Sequence, residues 1–109
     1  MTLSLSLPER IGVYILLSEC KVGPRAFLNL IKDAKKAIEI KKEEMSEYGI
    51  TGRPDGGIDW NKESADKTKD FTLSEGAYNF LKSRLEDLEK QEKLHIDLLP
   101  IANKILEAA

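Results

Sequence analysis

The chain has one cysteine and one histidine in 109 residues, and each scarcity removes a class of chemistry. With Cys20 alone, no internal disulfide can form, which suits a reducing compartment; the thiol reads as a small, half-buried apolar residue. His95 alone cannot supply a catalytic triad or a histidine-based zinc site, since both need partners that one histidine and one cysteine do not provide. The sequence contains neither a G-x-x-x-x-G-K-[ST] phosphate loop nor a G-x-G-x-x-G turn. No run approaches the roughly 20 apolar residues that span a bilayer. The opening MTLSLSLPER lacks the basic start and long apolar core of a secretion signal. The expected location is the cytoplasm.

Excess charge of either sign is also missing. Net charge is −2, and it is spread evenly: residues 1–50 carry 8 basic and 7 acidic side chains, residues 51–75 carry 4 and 6, and residues 76–109 carry 5 and 6. No third of the chain has the basic excess expected of a nucleic-acid binder. Carboxylates interleave with lysines at i, i+3 and i+4, as in Glu39, Lys42 and Glu43, which is the pattern of a solvated helix face. The expectation is therefore no enzymatic activity, with no catalytic residue, no metal and no cofactor.

What is present is a composition for one folded domain, 1–109. Hydrophobic residues make up 41% and charged residues 33%, too apolar for a disordered chain, and the length suffices for one modest core. Helical signals come first. Ser6 and Glu9 have capping-box spacing, Pro8 fits a first turn, and Leu7, Ile11, Tyr14 and Ile15 share one face; Gly12 permits a close contact. After SECKVGP, Pro24 starts a second helix with Phe27, Leu30, Ile31, Ala34 and Ile38 on its apolar stripe and Lys32, Lys35 and Lys36 on or beside the opposite face. The next stretch either extends that helix or, after a break near Glu39–Ile40 favoured by the two β-branched isoleucines that frame it, forms a short third helix, about 41–48, stopped at Gly49. A fourth helix follows Thr72 or Ser74 as N-cap, with Ala77 or Tyr78, Leu81, Leu85 and Leu88 inward. The last carries Leu94, Leu98, Ile101, Ala102 and Ile105; it either starts near Asp97, with Pro100 in its first turn, or is kinked there.

Between the third and fourth helices lie the turn-rich TGRPDGG and two alternating stretches: Ile58 and Trp60 with Asp59 and Asn61, then Phe71 and Leu73 with Asp70 and Thr72. Their period predicts a β-hairpin of 57–61 with 69–73, whose apolar face must pack on the helices. The fold class is thus α+β, mainly helical, with about five helices and one hairpin, in an element order that a winged-helix domain shares. Leu3, Leu5, Leu16, Leu17, Val22, Ile40, Ile96 and Leu99 fall off the main stripes, and such an apolar surplus is either deep core or subunit interface.

The segments LSLPERIGVYILL, KKEEMSEY, GGIDWN and KDFTLSEGAYNFLKSRLEDLEKQEKL, with a closing H-x-x-L helix, resemble a family of small, uncharacterised proteins encoded by phages and prophages of Gram-positive bacteria. The resemblance spans most of the chain. It rests chiefly on the I-x-W-N strand and the K-L turn into the last helix, with TGRPDGG as an insert. It carries over no functional residues. It implies a phage gene product acting inside a host bacterium by binding a host protein, for example to block a defence nuclease such as a CRISPR effector, or to redirect transcription.

Two functions follow. The first is a protein-binding module or homo-oligomer, with Trp60, Lys62, Lys67, Lys69 and Arg53 as contact residues; aromatic side chains dominate such surfaces. The alternative is a winged-helix DNA-binding regulator, in which Lys41, Lys42, Lys62, Lys67 and Lys69 meet phosphates. The charge balance disfavours it: KKEEMSEYG holds three glutamates against two lysines, and 62–70 holds three lysines against three acids.

Overall fold

The computed structural model describes residues 2–107. It contains six helices and four short strands in the order β1 (Thr2–Leu5), α1 (Leu7–Ser18), α2 (Arg25–Ile38), α3 (Lys42–Glu47), β2 (Thr51–Gly52), β3 (Ile58–Asp59), α4 (Lys62–Ala65), β4 (Lys69–Thr72), α5 (Glu75–Lys90) and, after a single 3-10 turn at Ile96–Leu98, α6 (Leu99–Glu107). This is the mainly helical α+β class expected. None of the described helices is long and apolar enough to cross a membrane.

The helix boundaries obey local chemistry. Glu9 Oε1 accepts from the Ser6 backbone N–H at 2.9 Å at the start of α1, as capping-box spacing requires. α2 ends at Ile38 and α3 begins at Lys42, so the break falls where it was expected. Gly49, at φ 62°, closes α3 in the left-handed conformation that favours glycine. Ser74, rather than Thr72, caps α5: its hydroxyl accepts from the Ala77 N–H. Pro100 sits in the first turn of α6, where its missing N–H leaves no intrahelical bond unmade. Gly12 allows the close approach expected of it: a Cβ there would stand 3.2 Å from Leu98 Cδ2.

The strand pairing differs from expectation. Segments 57–61 and 69–73 do not pair with each other. β4 pairs antiparallel with β1, Leu3 opposite Phe71 and Leu5 opposite Lys69, while β3 pairs with β2, the first two residues of TGRPDGG, across the turn 53–57. The reason is local. TGRPDGG supplies a tight turn for Ile58–Asp59, and Asn61 caps a turn of helix, α4, within the stretch expected to be the hairpin tip. That frees β4 for the N-terminal strand, whose Thr-Leu-Ser-Leu alternation puts Leu3 and Leu5 into the core at 7% and 0% exposure. The winged-helix order therefore lacks the expected wing.

A main core joins β1, α1, α2, α5 and α6 through residues such as Leu5, Leu16, Ile31, Leu81 and Ile105. Tyr78 of α5 donates its hydroxyl proton to the Ile105 carbonyl at 2.9 Å, tying α5 to α6. A smaller core of Leu7, Tyr48 and Ala65 gathers Ile11, Ile40, Ile50 and Trp60 around it. Of the surplus apolar residues, Leu3, Leu5, Leu16 and Leu17 are buried and Ile40 is half-buried, whereas Val22, Ile96 and Leu99 are exposed.

Candidate docking surface

The stripe read on α1 is split by the fold: Leu7 is buried and Ile11 packs against the smaller core, while Tyr14 and Ile15 face outward. Leu7, Val13, Leu16 and Leu17 are buried, whereas Ile11 is half-buried and Tyr14 and Ile15 are exposed, Ile15 at 54%. A helix with apolar residues on both sides must choose: packing by α2, α5 and α6 takes Val13, Leu16 and Leu17 into the main core, and Leu7 enters the smaller core beside Tyr48 and Ala65. The isoleucine stripe is left outward.

Two hollows flank that stripe. One, of about 500 Å³, has walls from Pro8, Ile11, Ile15, Trp60, Ile96 and Pro100, with Asp97 as its charged lining residue. The other, of about 310 Å³, lies between Ile11, Tyr14 and Ile15 of α1 and Ile38, Glu39 and Ile40 beyond α2, with Arg10 at its wall. Ile11 and Ile15 belong to both. Concave, mostly apolar walls with few polar groups are the usual form of a binding site.

Arg10 holds this face in shape. It is 1% exposed. Its guanidinium donates to the carbonyls of Ile38 and Glu39 at 2.9 to 3.2 Å, to both Glu44 oxygens at 2.6 and 3.0 Å and to the Tyr48 hydroxyl, and it lies 4.6 Å from the Phe71 ring centroid. Such a fork satisfies the carbonyls left open at the end of α2 while pairing the charge. Burial alone would lower the Arg10 pKa; the bonds to Glu44 and Tyr48 outweigh it and raise it. The hydrogen bond from Arg10 is the chief cause that lowers Glu44 to about 2, with help from the Lys41 N–H and Lys69 against the effect of burial. Burial would raise Glu9, but hydrogen bonds from Lys104 and Ser6 hold it below the usual carboxylate value.

The residues expected to make contact fall in different settings. Trp60 is half-buried, packed in the smaller core with one side lining the larger hollow. Lys62 and Lys67 are exposed at either end of α4. Lys69 is not a free contact residue: its ammonium pairs with Glu47 at 2.7 Å and Glu44 at 3.1 Å over the Tyr48 ring, and the bond to Glu47, then that to Glu44, raise its pKa. Arg53 pairs with Asp55 and Asp59 at 3.6 and 3.5 Å, bracing the β2–β3 turn. Lys41 and Lys42 are exposed where α3 begins. No group of three or more His, Cys, Asp or Glu among the described residues is placed to hold a metal ion.

Ile15 and Pro8 were not among the expected contact residues, and Ile96 was named only among the surplus apolar side chains of core or interface. The signal was the double apolar pattern of α1, which one stripe could not absorb. No family model, curated protein or solved structure matches the chain.

Proposed function

We propose that the chain is a non-enzymatic, phage-type protein-binding module that occludes or redirects a host protein, for example a defence nuclease such as a CRISPR effector. The observation that carries this reading is the outward isoleucine stripe of α1 between two apolar hollows, with Trp60 at the edge of one. Burying exposed aliphatic and indole surface drives association, and hollows of this kind take side chains of another polypeptide. One support is chemical: the groups with shifted pKa values, Glu9, Arg10, Glu44 and Lys69, are engaged in ion pairs between elements; the other is the resemblance of the sequence to phage-encoded proteins, which implies a host partner. A second copy of the chain is the competing occupant.

The test is capture from lysate of a Gram-positive host with the wild type and with Ile15→Asp. A specific host protein should be retained by the wild type and lost from the variant. An identical retained set, or duplex DNA held in its place with steep salt dependence, would overturn the reading.

A further inference from the structure

We infer that the element docking on this face is an amphipathic segment of the partner that carries an acidic cluster beside its apolar anchors, an inference that rests on the protein-binding reading above. The two hollows on α1 continue into a third, of about 280 Å³, that shares Tyr14 and Glu39 with its neighbour. Its outer wall is Lys32, Lys35 and Lys36 of α2, facing a single acidic lining residue, Glu39. The surface is therefore a continuous belt: apolar from Trp60 to Ile40, then positive.

The positive end is a property of one helix flank. Residues 21–42 hold seven basic side chains against Asp33 and Glu39. At 100° per residue, Lys35, Lys32, Arg25 and Lys36 fall within an arc of about 100° on α2, and Asp33 lies outside it. Among the described residues, Lys32, Lys35 and Lys36 hold no ion pair; Lys35 rests 5.0 Å from the Tyr14 ring centroid, which aims it at the belt. Of the acids outside that segment, Glu9 is paired with Lys104, Glu19 with Arg84, and Glu44 with Arg10 and Lys69.

Each feature selects against other occupants. A nucleic acid would meet the lysines but leave the isoleucine stripe and its hollows unfilled. A bilayer presents a yielding, nearly flat surface, whereas these hollows call for discrete side chains. A segment with leucine-like anchors followed by Asp or Glu satisfies both ends, and complementary charge then sets its direction.

The chain carries its own reporters, because the sole tryptophan, Trp60, lines the apolar end and the sole cysteine, Cys20, lines the positive end. The probes are two peptides free of Trp and Cys, each about 18 residues or five helical turns long: one of Leu and Glu at amphipathic spacing, the other with Lys in place of Glu. The Leu–Glu peptide should shift Trp60 emission, slow alkylation of Cys20, and bind less tightly as salt screens the charges. Lys32→Glu with Lys36→Glu should lower its affinity about tenfold, the worth of two exposed ion pairs, and improve binding of the Leu–Lys peptide. All three positions substituted are exposed, so Ile15→Asp should lose both peptides without loss of fold, read by circular dichroism.

The inference is overturned if neither peptide binds, if the wild type prefers the Leu–Lys peptide or binds both alike, or if the charge reversal changes nothing. It is equally overturned if duplex DNA or phosphatidylglycerol vesicles, rather than the Leu–Glu peptide, give the Trp60 and Cys20 responses. In any of these cases, host-protein capture that still depends on Ile15 leaves the protein-binding reading standing.

Discussion

Arg10 joins segments that the chain brings from afar: the end of α2, Glu44 and Tyr48 at α3, and Phe71 on β4. Removing one member of a buried ion pair leaves the other charge without compensation, so Arg10→Met should destabilise the fold by about 3–5 kcal/mol, read as the shift in urea unfolding. The pH dependence has a definite sign. The folded-state pKa of Glu44 is lowered from 4.5 to about 2, and Glu9 is lowered too. Their contributions are whole above the unfolded value and are lost as pH falls toward the folded one. Arg10 and Lys69 are raised, so their contributions are whole below the ordinary lysine value of 10.5 and fade only in stronger alkali. The urea midpoint should therefore decline as pH drops below about 4.5, and Glu44→Gln should lower the neutral plateau and flatten that decline. A decline of equal steepness in the variant would assign the acid sensitivity to other carboxylates.

Among the elements, β1 carries more of the fold than its four residues suggest. It closes the ladder of β4 and inserts Leu3 and Leu5 under α1, and Lys104 of α6 donates to the Ser4 carbonyl at 2.6 Å. Leu5→Ala opens a cavity in a fully buried position and should cost about 2–5 kcal/mol. Ser74→Ala removes only a helix cap, about 1 kcal/mol. Chemical denaturation of the two variants should rank them in that order. The reverse ranking would mean that β1 is peripheral to the cooperative unit.

For the whole molecule, the decisive feature is that α1 shows apolar residues on two sides while the core takes one. An exposed Ile15→Asp should change unfolding free energy by no more than about 0.5 kcal/mol while abolishing association. Static light scattering over a concentration series separates the two occupants of this face. A monomer keeps it for another protein; a dimer that the variant dissolves closes it on a second copy.

The sequence by itself determined what short-range physics determines. The cap at Ser6 and the stop at Gly49 are settled by side chains reaching their own neighbours and by dihedral limits, and the mainly helical class follows from periodicity; the sequence narrowed the cap of α5 to Thr72 or Ser74 and Pro100 to a first turn or a kink, and the fold chose Ser74 and the first turn. Tertiary structure alone decided which partner each strand took, because two-residue periodicity marks a strand without naming its neighbour. It likewise decided which apolar side of α1 faces outward, since that depends on α5 and α6 arriving from the far end of the chain to complete the core with α2. The charges followed the same rule. Thirds of the chain looked balanced, but folding withdrew Glu9, Glu44 and Lys69 into pairs and left the lysines of α2 standing beside the isoleucines, because Coulomb interactions depend on distance in space and not along the chain.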